Sequence, residues 1–448
     1  MCGGRWNNRH THRSLVVMQG TRTRTAALAA LLAAEAMNVL DATITQVAAP
    51  AMHATLGGAA SDMQWFGAAY TLPFAVLLIT GGRLGDLLGR RRVFLAGVAG
   101  FALASVCCAV APGTAVLITA RTVQGAAAAL VIPQTFGLVK AMFTGPALAA
   151  ALGWNGPVVG LSAVSGPLVG AALTDLVAWR VAFLVNVPIS VAVLVAGRLL
   201  PEDRATHPVR LDVQGTLLVS LGAGLVVYPL ITRWHWGLFA AGAAVLVVFG
   251  LHQRVRRHPL VEPSLFGNRG FPAALVTSTL FFAVMNGLML VVVLHLQLDE
   301  GRGVLASGLA LLPWSGGLAV SSYVAGRWLV PRYGPWIAFV GLALLLTGVL
   351  AVITGPLPVA LGVGGLGLGL FTVPFFTTAL SRVRPHETGS AAGLLNAVQQ
   401  LGTTLGIAVL GTVFLRSHSL AQACWPAAAL TAAAAATTAL MRPSAVTA

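Results

Sequence analysis

A single lysine, Lys140, and only twelve acidic residues occur in 448 positions, and charged side chains make up 9% of the chain. A soluble globule of this length needs far more polar surface, so the composition excludes one. The lone lysine also excludes a nucleotide-binding P-loop, which requires Gly-Lys followed by Ser or Thr, because Lys140 lies between Val139 and Ala141. An ATP-driven pump contained in this one polypeptide is thereby set aside. Cysteine is equally scarce. Cys2, Cys107, Cys108 and Cys424 show neither a metal-ligand spacing nor a disulfide framework, and they read as small apolar residues. No Ser/His/Asp or metal-ligating cluster converges within the apolar runs, which argues against a lipid-modifying membrane enzyme.

What is abundant is apolar: 57% of the residues are hydrophobic and the mean hydropathy is +0.85. The runs are about 20 residues long, which matches a hydrocarbon core of about 30 Å crossed by a helix. They are apolar all round, whereas barrel strands would alternate. The fold class is therefore an all-α polytopic membrane protein. Spans are expected near 26–48, 63–82, 93–111, 114–138, 148–172, 181–200, 213–232, 234–251, 272–297, 304–326, 336–354, 357–380, 389–415 and 420–440.

The formal charge of +15 does not point to nucleic acid, because the arginines are spread over short loops without interleaved aromatics. They set orientation instead. With these spans only Arg180, Arg233, Arg302 and Arg416 fall on one side, Arg121 lies within a span, and every other arginine and Lys140 face the opposite, cytoplasmic side. Both termini are expected in the cytoplasm of a multi-pass protein of the cell membrane. Residues 1–24 read as a disordered basic tail, with Met18 a second possible start, and residues 441–448 as a short closing tail. A cleaved signal peptide is disfavoured, since the first run continues to Ala48.

Charge and proline interrupt the sequence at 201–212 and again at 252–270. The expected organisation is a six-helix bundle over 25–200, a linker carrying two inserted spans over 201–270, and a second six-helix bundle over 271–440. The loop Gly82-Arg83-Leu84-Gly85-Asp86-Leu87-Leu88-Gly89-Arg90-Arg91-Arg92 is echoed by Gly326-Arg327-Trp328-Leu329-Val330-Pro331-Arg332-Tyr333-Gly334, where proline stands in the region of the acid. Two halves with a repeated loop suggest a transporter with a site between them.

In the first loop Gly82, Leu84, Asp86, Gly89, Arg90 and Arg91 resemble the loop signature of the major facilitator superfamily, with Leu87 departing where a basic residue is usual. Leu40-Asp41-Ala42-Thr43-Ile44 with Ala48 and Pro50 resembles the first-helix signature of its fourteen-span drug:proton antiporters. Arg121, Gln124 and Gly125 are similar to the fourth-helix pattern, and Gly166-Pro167-Leu168-Val169-Gly170 to the fifth-helix antiporter motif, with Ala171 in place of the usual final glycine. Trp179-Arg180, Phe183, Asn186 and Pro188 fit the following junction, and Gly389 to Phe414 resembles the thirteenth helix. The resemblance implies a proton-driven exporter of small amphipathic molecules, needing no cofactor and acting as a monomer in the bilayer. An importer or uniporter on the same fold is the alternative.

Asp41 lies mid-membrane, where an ionised group costs at least ~2.5 kcal/mol and is rarely kept without a use. It is the leading candidate for proton or cationic-substrate binding, and Asn38 and Thr45 share its helix face. Glu35, about 120° around the same helix, reads as a second proton carrier, a partner for Arg121, or a carboxylic acid kept neutral by burial. Arg121 must find an anion or carbonyl; Asp41 and Glu35 are the candidates, and the resemblance implies a coupling role. Asp86, beside Arg90 and Arg91, is implied to stabilise the outward-open state, with Gly82 and Gly89 shaping the turn. Gly156, Gly160, Gly166, Pro167 and Gly170 read as a close-packing stripe, and the resemblance adds a seal against proton leak. Gln124, Trp154, Asn155, Asn286, Trp314, Asn396 and Gln399 are further cavity candidates, and His295 with Gln297 ends the ninth span near the outer face.

Overall fold

In hydrocarbon every backbone N–H and C=O must be satisfied internally, and a long apolar run does this as a helix. The computed structural model describes residues 8–204, 211–232, 235–256, 259–267, 269–381, 383–384 and 387–441, with backbone alone for 8–22 and 388, and no strand occurs among them. The helices are α1 (Asn8–Leu56), α2 (Asp62–Leu88), α3 (Arg90–Ala109), α4 (Thr114–Met142), α5 (Gly145–Gly153), α6 (Asn155–Leu176), α7 (Trp179–Leu184), α8 (Asn186–Ala196) and α9 (Val213–Ile231). They continue as α10 (Trp236–Val255), α11 (Gly270–Leu294), α12 (Val304–Ala310), α13 (Leu312–Val324), α14 (Val330–Tyr333), α15 (Ile337–Thr354), α16 (Leu357–Leu380), α17 (Thr388–Ser417) and α18 (Leu420–Leu440).

Thirteen helical segments among the described residues are long and apolar enough to cross a membrane. One of them, Val304–Thr354, has 51 residues, and as a single helix it would extend about 76 Å, more than twice a core of about 30 Å. The turn at Gly334, with φ 64°, divides it into two stretches, each long enough for one of the expected spans near 304–326 and 336–354. Three expected spans are each broken into two helices, at Trp154 between α5 and α6, at Val185 between α7 and α8, and at Leu311 between α12 and α13. The tail expected to be disordered is helical from Asn8 onwards, and residues 1–7 and 442–448 lie outside the described residues.

The first of the two echoed loops is a tight reversal. Gly89 alone separates α2 from α3, with φ 102°, a conformation costly for any residue with a Cβ. Elsewhere glycine lets helices approach closely, because between lipid-embedded helices packing replaces the hydrophobic drive. A Cβ on Gly125 would stand 2.1 Å from the Tyr70 carbonyl oxygen, joining α4 to α2, and one on Gly406 2.0 Å from that of Ala283, joining α17 to α11.

Contacts between the early and late helices gather at the end away from the arginine-rich loops. The Gln64 amide donates to the Ile407 carbonyl (2.9 Å) and the Ala408 carbonyl (3.2 Å), and the hydroxyls of Thr71 and Thr404 meet at 2.7 Å. Gln297 donates to the Val47 carbonyl at 3.0 Å, and Gly308 of α12 lies against Ala171 of α6. The inserted α9 and α10 pack on each other, and α9 also lies along α2 and α17. Asp212 caps α9 by accepting from the Gly215 N–H at 2.9 Å, and it accepts from Gln253 (2.9 Å) while pairing with His252 (3.1 Å) on α10. Burial alone would push the Asp212 carboxyl up, but these hydrogen bonds and the imidazole outweigh it and hold the group below its ordinary value.

Candidate functional site

The polar centre of the early helices is assembled around Asp41, which is 2% exposed on α1. Its Oδ2 pairs with the Arg121 guanidinium of α4, and both side chains are 1% exposed. Its Oδ1 accepts from the Gln124 amide at 2.9 Å and from the Asn186 amide at 2.7 Å. Gln124 lies one turn beyond Arg121 on the same face of α4, and Asn186 opens α8 immediately after the break at Val185. Arg121 is saturated further: its Nε donates to the Phe66 carbonyl at 2.9 Å and its Nη1 to Gln124 Oε1 at 2.6 Å. The Tyr70 ring stacks under the guanidinium at 4.4 Å, and the Tyr70 hydroxyl donates to Asn38 Oδ1 at 2.8 Å. Ser105 of α3 closes the group, accepting from Gln124 at 2.9 Å. A charge pair whose guanidinium also donates through Nε to a backbone carbonyl and through Nη1 to an amide oxygen is the arrangement that makes burial of two ions tolerable.

Glu35 stands apart. It is 6% exposed, and its Oε1 has no hydrogen-bond partner among the described residues. The expectation that it partners Arg121 fails, because Asp41, Gln124 and the Phe66 carbonyl take the guanidinium. Its surroundings disfavour charge. Thr45 does not reach the carboxylate either; its hydroxyl donates to the Asp41 backbone carbonyl at 2.8 Å.

The family model described as Major Facilitator Superfamily matches residues 31–407. The chain belongs to this superfamily. Among curated proteins of the superfamily's kind, it is 43% identical to a probable actinorhodin transporter of Streptomyces coelicolor, over 87% of this chain and 72% of that protein. It is 36% identical to a puromycin resistance protein of Streptomyces alboniger, over 86% and 81% respectively. A tetracenomycin C resistance and export protein of Streptomyces glaucescens is 35% identical over 84% of this chain and 73% of its own length. Membership in this transporter superfamily, rather than any missing residue, sets the enzyme reading aside.

The superfamily loop bonds within itself and to residues 197–203 after α8. Arg90 bonds Asp86 at 2.8 Å and Asp203 at 2.6 Å, and its backbone N–H donates to the Asp203 carbonyl at 2.9 Å. Arg91, expected beside Asp86, turns instead to the Gly197 carbonyl (3.1 Å) and Glu202 (3.3 Å). The Arg83 guanidinium reaches the Pro259 carbonyl in the segment after α10. Gly82 packs lightly on Pro133, at 3.4 Å for an added Cβ.

The glycine stripe divides in two. A Cβ on Gly166 would lie 1.8 Å from Thr43 Oγ1, and one on Gly170 2.8 Å from Ile44 Cα, so these two, with buried Pro167 between them, seat α6 on α1. Gly156 and Gly160 have nothing within 4 Å, which corrects the expectation that they pack closely. Trp154 is 60% exposed at the α5–α6 break, with Asn155 half-buried beside it. On the late helices Asn286 donates to Thr403 at 3.0 Å and accepts from Gln46 at 3.4 Å, so it joins α11 to both α17 and α1. Trp314 is buried against Leu288, Met289, Val292, Leu311 and Leu361. Asn396 and Gln399 are half-buried on α17. His295 lies between Asp299 (2.9 Å) and Glu300 (3.3 Å).

Sequence reasoning missed Asn186 and Ser105 as members of the site. Asn186 was visible as part of the junction after the fifth span, but only as a family marker. A rule that any amide in an apolar run needs a partner would have singled it out.

Proposed function

We propose that the protein is a proton-driven exporter of small amphipathic molecules, working by alternating access between two six-helix halves, 25–200 and 271–440, joined by the linker 201–270. The observation that carries the reading is the buried Asp41–Arg121 pair with its amide donors, at a depth where an ion pair without a task is expensive. Proton binding at Asp41 would release Arg121 electrostatically, and deprotonation would draw it back, so the pair converts proton occupancy into a change between α1 and α4. The names of the relatives support antibiotics or similar metabolites as cargo. The arginine bias supports a cell-membrane location with both termini in the cytoplasm. Closure at the end away from the arginines then corresponds to an inward-facing state, in which the Asp86 loop is bonded to its own half. The reading requires no cofactor and a single polypeptide.

The test is transport in proteoliposomes with an imposed pH gradient, using ethidium as the amphipathic probe. The wild type accumulates it against its gradient when protons can flow the other way, and Asp41→Asn abolishes the gradient dependence. Gradient-driven accumulation retained by Asp41→Asn would remove Asp41 from the mechanism, and accumulation in the reverse direction would favour an importer.

A further inference from the structure

All three donors around Asp41 serve its ionised form. Arg121, Gln124 and Asn186 each present an N–H to the carboxylate, and a guanidinium can never accept. A proton placed on Asp41 therefore meets only donors, unless one partner can reverse its role.

Gln124 cannot. Its Oε1 is held by Arg121 at 2.6 Å and faces the Cys108 thiol at 3.8 Å, while its Nε2 also serves Ser105 at 2.9 Å. Turning that amide would set its NH2 against the guanidinium, donor to donor. Asn186 differs. It is 1% exposed, its Nδ2 serves Asp41 at 2.7 Å and Ser105 at only 3.3 Å, and its Oδ1 is buried without a hydrogen-bond partner among the described residues. An unsatisfied buried carbonyl of this kind costs free energy as long as it has no donor.

Resting on Asp41 as the proton site, we propose that Asn186 is the positioning residue that lets Asp41 hold the proton, by turning its amide so that Oδ1 accepts the new carboxyl O–H. On protonation one proton joins Asp41 Oδ1, the Asn186 Nδ2–H···Oδ1 contact breaks, and an O–H···Oδ1 contact to Asn186 forms. Loss of the proton reverses both changes, and the amide itself neither gains nor loses one. Ser105, whose hydroxyl now donates to the Phe101 carbonyl at 2.9 Å, stands within reach of the turned amide. Among the described residues, the other titratable groups facing the site are Arg121, Tyr70 with its hydroxyl committed to Asn38, Cys108, and Glu35 on α1 itself. None of these presents a free acceptor toward Asp41 Oδ1.

The test is infrared difference spectroscopy of the full-length protein in lipid across a pH step between about 9 and 5, a range in which shifted carboxyls titrate. Wild type gains a carboxylic C=O band that is lost in Asp41→Asn. Isotope-labelled asparagine shows an amide carbonyl band moving to lower frequency in the same step, as expected when the orphan carbonyl gains a donor. In Asn186→Leu the carboxylic band moves to the frequency of a free O–H, and Asn186→Ser, which can donate or accept, restores it. The labelled wild-type measurement stands even where a variant does not fold. An asparagine band that stays still while the Asp41 band appears overturns the role of Asn186 alone. Absence of any Asp41-dependent band over the range removes the proton site itself.

Discussion

Replacing Arg121 by Met leaves the Asp41 carboxylate buried with two neutral amides and no cation. The guanidinium supplies bonds to Asp41, Gln124 and the Phe66 carbonyl and lies over the Tyr70 ring. Adding a charged-group value of about 1.5–3 kcal/mol for each bond overshoots, because the partners relax and the cation's own desolvation is recovered. The figure for breaking one side of a buried pair, about 3–5 kcal/mol, is the better estimate for Arg121→Met. Asp41→Asn combined with Arg121→Met removes both ions and leaves amides that can bond one another, so the double variant is more stable than the sum of the single losses by about 2 kcal/mol or more. That value discriminates, since uncharged hydrogen bonds between membrane helices average ~0.6 kcal/mol. Equilibrium unfolding of the full-length protein in mixed micelles, for wild type and the three variants, closes the cycle. Losses that add to within about 0.5 kcal/mol would show that the two charges do not depend on each other.

Two further outcomes follow from local geometry. Gly170→Ala forces a Cβ against the Ile44 backbone and destabilises by about 1–3 kcal/mol, whereas Gly160→Ala meets open space and is neutral or stabilising by up to about 1 kcal/mol; thermal unfolding in detergent separates them, and equal effects would refute the packing assignment. The Asp212 carboxyl is held below its ordinary value, so its stabilisation is fully present above its unfolded pKa of about 3.9 and is lost as pH falls through the lower folded value. Asp212→Asn should therefore flatten the acid limb of the stability profile below about pH 4, and an unchanged limb would place that transition elsewhere.

The apolar segments were legible because hydropathy is a property of each run by itself, and thirteen long apolar stretches emerge among the described residues even where Trp154, Val185 and Leu311 break the helices. Asp41 and Arg121 were legible for the same reason, since a charge inside an apolar run announces itself. Their pairing was not, because Glu35 has the same chemistry and only the rotation of α1 decides which carboxyl meets α4. Asn186 is 145 residues from Asp41, and an amide carries no charge to draw notice. Gly156 and Gly170 look alike as letters; the difference is that Ile44 stands opposite one and nothing opposite the other.

The inserted α9 is fastened at two depths to two different neighbours. Near one end the Thr216 hydroxyl meets that of Thr80 on α2 at 2.8 Å, and near the other the Leu230 carbonyl accepts from Thr412 on α17 at 2.7 Å. A helix tied this way runs as a diagonal brace between α2 and α17. Any rocking of α2 against α17 must shear one of the two ties, and at ~0.6 kcal/mol apiece they act as a light brake on the motion rather than a lock.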